Sequence, residues 1–147
     1  MEAEALARAC AEKMWATDTA SRELGMALEH VGAGHAVLTM PVTERMLNGH
    51  RVCHGGYIFA LADSTFAFAC NAYNMLCLAQ HCSVTYLRPA HLGEVLRAEA
   101  RERAREGRGG IYDVRVTGGD GRVIAEFRGH SRTTGQKFFP DLPEAAP

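Results

Sequence analysis

Residues Gly56–Tyr73 read GYIFALADSTFAFACNAY. Their composition suits a helix throughout, and Ile58, Phe59, Leu61, Ala62, Phe66, Ala67, Ala69 and Cys70 cover nearly its whole circumference. A helix that is apolar all round must be covered on all sides. The cover is legible on either flank, where the apolar period changes from helical to two. Downstream, Leu96, Ala98 and Ala100 alternate with Arg97, Glu99 and Arg101, and Tyr112, Val114 and Val116 with Asp113 and Arg115. Val123, Ala125 and Phe127 likewise oppose Glu126 and Arg128, and Val84 and Tyr86 alternate with Thr85 and Leu87. Upstream, between Met26 and Val42, Ala36, Leu38 and Met40 alternate with Val37 and Thr39. Glycine-rich breaks at 31–34, 105–110 and 117–121 mark hairpins, and Pro89–Gly93 marks a turn. One apolar and one charged face per strand is the pattern of an antiparallel sheet covered on one side. The expected fold is α+β: a twisted antiparallel sheet of five to six strands wrapped round one central helix.

The rest of the chain adds little to that plan. Leu6, Cys10 and Met14 predict an N-terminal amphipathic helix over 1–22, and the proline-bearing segment 136–147 reads as a frayed tail. At 147 residues a single domain is expected. The net charge of -1 lacks the basic excess of a general nucleic-acid binder. Ser64–Leu87 carries no Lys, Arg, Asp or Glu, but Asn71, Asn74, Gln80 and His81 interrupt it, so it reads as buried core and not as a membrane span. Five cysteines without a C-x-x-C spacing suggest reduced thiols and a cytoplasmic setting. No signal or transit peptide is read at the N-terminus.

Asp63 breaks the pattern. It is the only formally charged residue between Arg51 and Arg88, and it stands mid-helix among Phe59, Leu61, Ala62 and Phe66. An ionised carboxylate there costs several kcal/mol unless it is hydrogen-bonded, which marks Asp63 as a candidate catalytic acid or base. Immediately before the helix stands His54-Gly55-Gly56. Glycines at a helix start let a ligand approach the free N–H groups, and these together with the helix dipole polarise a carbonyl. Eight residues along a helix span about 12 Å, whereas reacting groups must approach to about 3–3.5 Å. Gly55 and Asp63 of one chain therefore cannot act on one carbonyl. If both are catalytic, Asp63 comes from a second subunit across a two-fold axis, giving an isologous dimer with two shared sites. The unburied edge of the sheet asks for a dimer independently.

The run Met46–Asp63, MLNGHRVCHGGYIFALAD, resembles the signature of the hotdog-fold acyl-CoA thioesterases. With Phe66–Asn71, Tyr86-Leu-Arg-Pro89 and Phe127-Arg-Gly129, the likeness narrows to the PaaI-type branch of phenylacetic acid degradation and covers about Ala11 to Gly135. The resemblance implies hydrolysis of phenylacetyl-CoA and ring-hydroxylated relatives, without metal or organic cofactor, by a dimer of dimers. It also implies roles. Gly55 polarises the thioester carbonyl through its N–H, Asp63 of the opposing subunit acts as general base or nucleophile, and Asn48 and His54 position water, substrate or carboxylate.

Other arrangements are weaker. His50-x3-His54 has metal-ligand spacing, but its loop setting and the want of a third ligand count against it. Cys53-His54 offers a thiolate nucleophile only if adjacent residues face one another. Ser64, His54 and Asp63 supply the letters of a hydrolase triad without a G-x-S-x-G elbow. Ser64 or Thr65 is expected to help by hydrogen-bonding the carboxylate or substrate. Arginines crowd Arg88–Arg132, mostly as a solvated strand face, with Arg88 the first candidate to meet the phosphates of coenzyme A. The alternatives to a thioesterase are a hotdog dehydratase or hydratase, whose H-F-P type motif is missing here, and a non-catalytic acyl-CoA-binding module.

Overall fold

The computed structural model describes residues 1–145. The chain runs α1 (Ala3–Trp15), α2 (Thr19–Glu23), β1 (Ala27–Gly32), β2 (His35–Pro41), a short 3-10 turn (Glu44–Met46), α3 (Gly55–Cys70), β3 (Cys77–Tyr86), β4 (Val95–Glu106), β5 (Gly109–Thr117) and β6 (Val123–Thr133). The strands form one sheet in the order β1-β2-β4-β5-β6-β3, every neighbouring pair antiparallel. This is the expected sheet, with six strands.

Register explains why the sheet has one apolar face. Ala36, Leu38 and Met40 pair with Ala100, Ala98 and Leu96. Ala98 and Ala100 pair in turn with Val116 and Val114, and these with Ala125 and Phe127. Every one of these side chains is buried. Each strand thus turns its apolar set inward at the same level, and α3 lies on the face so made, contacting β2, β4 and β5 most. Phe66 sits at the centre, with ring centroids 5.6 Å from Tyr112 and 5.9 Å from Phe127. It packs flat on β6 at Gly129, where a Cβ would stand 2.8 Å from three of its ring carbons. The sheet can hold an aromatic this close because position 129 has no side chain.

Three sequence expectations need correction. The helix expected over 1–22 is two helices, because α1 closes at Ala16 and Asp18 caps the next. Its Oδ1 accepts from Ser21 N at 2.9 Å and its Oδ2 from the Ser21 hydroxyl at 2.7 Å. The tail read as frayed is packed over 136–145. Buried Asn74 donates to the carbonyls of Phe139, Leu142 and Pro143 and accepts from Phe139 N at 2.8 Å, while Phe138 packs with Leu6 and Cys10. Residues 146 and 147, also part of that expectation, lie outside the described residues. Finally, Ser64–Leu87 is not buried throughout. Its first part is core helix, but β3 is an edge strand, with Leu78, Tyr86 and Leu87 exposed by 61%, 48% and 52%. Among the described residues of one chain no strand pairs with its outer edge. Among the described residues no helix is long and apolar enough to cross a membrane.

Candidate active site

The start of α3 is built by the loop before it. Asn48 Oδ1 accepts from His50 N at 2.9 Å and Val52 N at 3.3 Å, and Leu47 bridges Cys53, so the loop closes on itself. Cys53 N donates to Ala90 O and His54 N to Met46 O, which aims the chain into the helix. His54 is the N-cap: its Nδ1 accepts from Gly56 N at 2.9 Å. An imidazole that spends the Nδ1 lone pair in this way carries its neutral-form proton on Nε2. Gly56 permits the cap, since a Cβ there would lie 3.1 Å from that nitrogen.

Gly55 N–H is one of the orphan donors of the first turn, and no protein acceptor meets it among the described residues. Tyr86, at the end of β3, lies against the same residue. Its hydroxyl donates to Gly55 O at 2.8 Å, and a Cβ on Gly55 would stand 3.0 Å from its Cζ. A cavity of about 350 Å³ opens here, lined by Gly55, Ile58, Tyr86, Leu87, Arg88 and Pro89 among others. Sequence reading passed over Tyr86 as a site residue. Its only signal was membership of the run Tyr86–Pro89.

Asp63 lies two turns further along α3 and is half-buried. Burial pushes its carboxyl above the usual range, partly opposed by the Cys82 thiol, which donates to Oδ1 at 3.9 Å. Asp63 thus faces the middle of the open edge strand β3, not the Gly55 end of its own helix. The chain places the two groups on one helix and keeps them apart, as the spacing requires.

The remaining candidates divide. Arg88 stays beside the Gly55 cavity, its Nη1 donating to Val123 O at 2.8 Å. Ser64 and Thr65, expected as helpers, spend their hydroxyls within this chain. Ser64 Oγ bonds Ser21 Oγ at 2.9 Å, tying α3 to α2, and Thr65, fully buried, donates to Leu61 O at 2.7 Å in its own helix. Cys53 is buried and its thiol is pushed up to about 11 by desolvation, so it stays neutral near pH 7 and is no nucleophile.

The family model described as "Thioesterase superfamily" matches residues 50–125, which include His54, Gly55, Asp63, Tyr86 and Arg88. The chain belongs to the thioesterase superfamily. This thioesterase is 39% identical over 125 residues to the acyl-coenzyme A thioesterase PaaI of Escherichia coli, covering 85% of the chain and 89% of that relative. Its fold superposes on the E. coli PaaI structure from the phenylacetic acid degradation operon with a TM-score of 0.91 and 37% identity, covering 92% and 99% of the two chains. A hypothetical thioesterase from Streptococcus pneumoniae, solved with coenzyme A, matches with a TM-score of 0.73 and 26% identity over 76% of this chain and 90% of that one. The thioesterase is therefore a hotdog-fold enzyme of the PaaI type.

Proposed function

We propose that this acyl-CoA thioesterase hydrolyses phenylacetyl-CoA and its ring-hydroxylated relatives to the free acid and coenzyme A, at sites shared between two subunits. The observation that carries the reading is the Gly55 N–H at the start of α3, without an acceptor among the described residues, with a partly desolvated Asp63 two turns along the same helix. The thioester carbonyl accepts from Gly55 N–H, and the helix dipole stabilises the oxyanion as it forms. Asp63 of the partner subunit assists the attack, as general base on water or as nucleophile. Asn48 orders the loop that carries the donor, and His54, with its proton on Nε2, faces outward beside it to position water or substrate. Arg88 meets a coenzyme A phosphate at the cavity mouth. The reaction uses no metal or organic cofactor, and the enzyme works in the cytoplasm.

Dimerisation is supported by the edge strand β3, whose outer row of backbone groups and exposed Leu78, Tyr86 and Leu87 invite a second copy. Antiparallel pairing of two such edges would set each Asp63 towards the other chain's Gly55. A dimer of dimers is the expected assembly.

The test is thiol release from phenylacetyl-CoA, 3-hydroxyphenylacetyl-CoA and palmitoyl-CoA, with Asp63→Ala beside the parent. Rapid release on the aryl substrates, reduced at least about 100-fold in the variant, is expected. Preference for palmitoyl-CoA, or parent-like turnover by Asp63→Ala, would overturn the reading.

A further inference from the structure

A cavity of about 400 Å³ lies at the other end of α3, where Cys70 closes the helix, and is walled by the start of β3, the end of β6 and the β4–β5 hairpin. Cys70 stands 15 residues beyond Gly55, about 22 Å along the helix axis. One wall is apolar or soft, made by Tyr73, Met75 and Cys77. The other carries Arg105 and Arg108, with the hydroxyls of Ser131 and Thr133.

Arg105 is held unusually firmly for an arginine near a hairpin. Its guanidinium carbon lies 3.3 Å over the Tyr73 ring centroid, and Nη2 donates to Ala145 O at 3.3 Å. Its Nε is sealed from solvent without a hydrogen-bond partner among the described residues. Arg97, Arg101, Arg103, Arg115, Arg122 and Arg128 each have a carboxylate within ion-pair distance. Among the described residues Arg105 and Arg108 have none, although Glu144 also borders the cavity. Glu102, the nearby acid, is occupied: both Tyr73 and Tyr112 donate to its Oε1, at 2.8 and 2.9 Å. The result is a planar, firmly held cation with no carboxylate within ion-pair distance among the described residues, beside a space of small-molecule size.

We propose that this cavity binds a small organic monocarboxylate with an apolar body of about one ring, its carboxylate held by Arg105 and Arg108 and its body laid on Met75 and Cys77. A carboxylate supplies the ion-pair partner that no described residue gives these two arginines, with one contact from each guanidinium. Inorganic phosphate would leave the apolar wall uncovered. A neutral aromatic would leave the arginines unpaired. Only the choice of probe rests on the function proposed above, because the acid released there is of this class.

Phenylacetate is therefore titrated into the full chain by calorimetry, with 2-phenylethanol as its neutral counterpart and inorganic phosphate as its bodiless one. One phenylacetate per chain is expected, bound at least tenfold more tightly than either control. Arg105→Gln should weaken it at least tenfold. Met75→Trp, which fills the cavity and leaves both arginines in place, should do the same and carries the test should Arg105→Gln fail to fold. Parent-like phenylacetate binding in a folded variant places the acid elsewhere and overturns the site, as does binding of either control as tight as that of phenylacetate. Thiol release reads the catalytic proposal separately, so its failure leaves this one standing, and the reverse.

Discussion

Asp63 is held where its charged form is disfavoured, and that has a consequence for stability as well as for chemistry. A carboxyl whose pKa is higher in the folded chain than in the unfolded one binds its proton more tightly when folded. Its contribution to stability is therefore greatest at low pH and falls as pH rises from the unfolded value near 3.8 through the raised folded value. Asp63→Asn removes that fall. We expect the variant to melt no lower than the parent at pH 7, with the parent gaining on it as pH is lowered towards 4; a melting series over that range checks the sign. Gly55 is the second residue that decides the site. Gly55→Ala forces its Cβ against Tyr86 at 3.0 Å and disturbs the N–H proposed to receive the carbonyl. We expect a loss of about tenfold or more in kcat, on the scale of a misplaced oxyanion donor. Partial recovery in the double variant Gly55→Ala, Tyr86→Leu would show that the ring is the obstacle, and no recovery would show that the ring is not.

At the scale of elements, α3 and the sheet are matched by side-chain size as much as by polarity. Phe66 occupies the space left by Gly129 on β6, with Tyr112 and Phe127 beside it. Phe66 is 1% exposed and has nowhere to move. Gly129→Ala should therefore destabilise the fold by about 1–3 kcal/mol, the usual cost of overpacking a core, measured by denaturant unfolding. A variant as stable as the parent would mean that α3 shifts freely on the sheet. The helix, its apolar faces and most strand partners were legible in sequence because alternation and helical period state which side of each element is dry. The break between α1 and α2 was not, since Asp18 and Ser21 look like ordinary helix-surface residues until their hydrogen bonds are seen. Nor were the roles of Ser64 and Thr65: both hydroxyls stand beside Asp63 in sequence, yet the helix rotates them towards Ser21 and Leu61 O.

At the scale of the molecule, the sheet ends in β1 on one side and β3 on the other, and the shared site proposed above lies along β3. Gly55 sits by the end of β3 and Asp63 by its middle, so the helix that provides both cannot close on a single thioester. We expect hydrolytic activity only at masses of a dimer or more, read by light scattering coupled to thiol release. Activity in a species of monomer mass would sink the shared site. The C-terminal segment belongs to this scale too. Asn74 gathers three carbonyls from 139–143, a contact across more than sixty residues that composition gave no reason to expect.

Sequence alone determined the layout: a helix with no polar face demands a sheet around it, alternating strands supply that sheet, and a lone carboxylate in an uncharged stretch singles out Asp63 as the candidate for the chemistry. It also determined, from helical rise alone, that Gly55 and Asp63 of one chain could not meet. Tertiary structure decided everything that depends on which distant groups become neighbours. It put β3 at an edge, the Tyr86 ring on Gly55, the Cys82 thiol on Asp63, and Arg105 and Arg108 around the cavity at the far end of α3. The physical reason is range. Periodicity and backbone preference are written in residues a few places apart, whereas strand order and side-chain contacts are settled by packing across the whole chain.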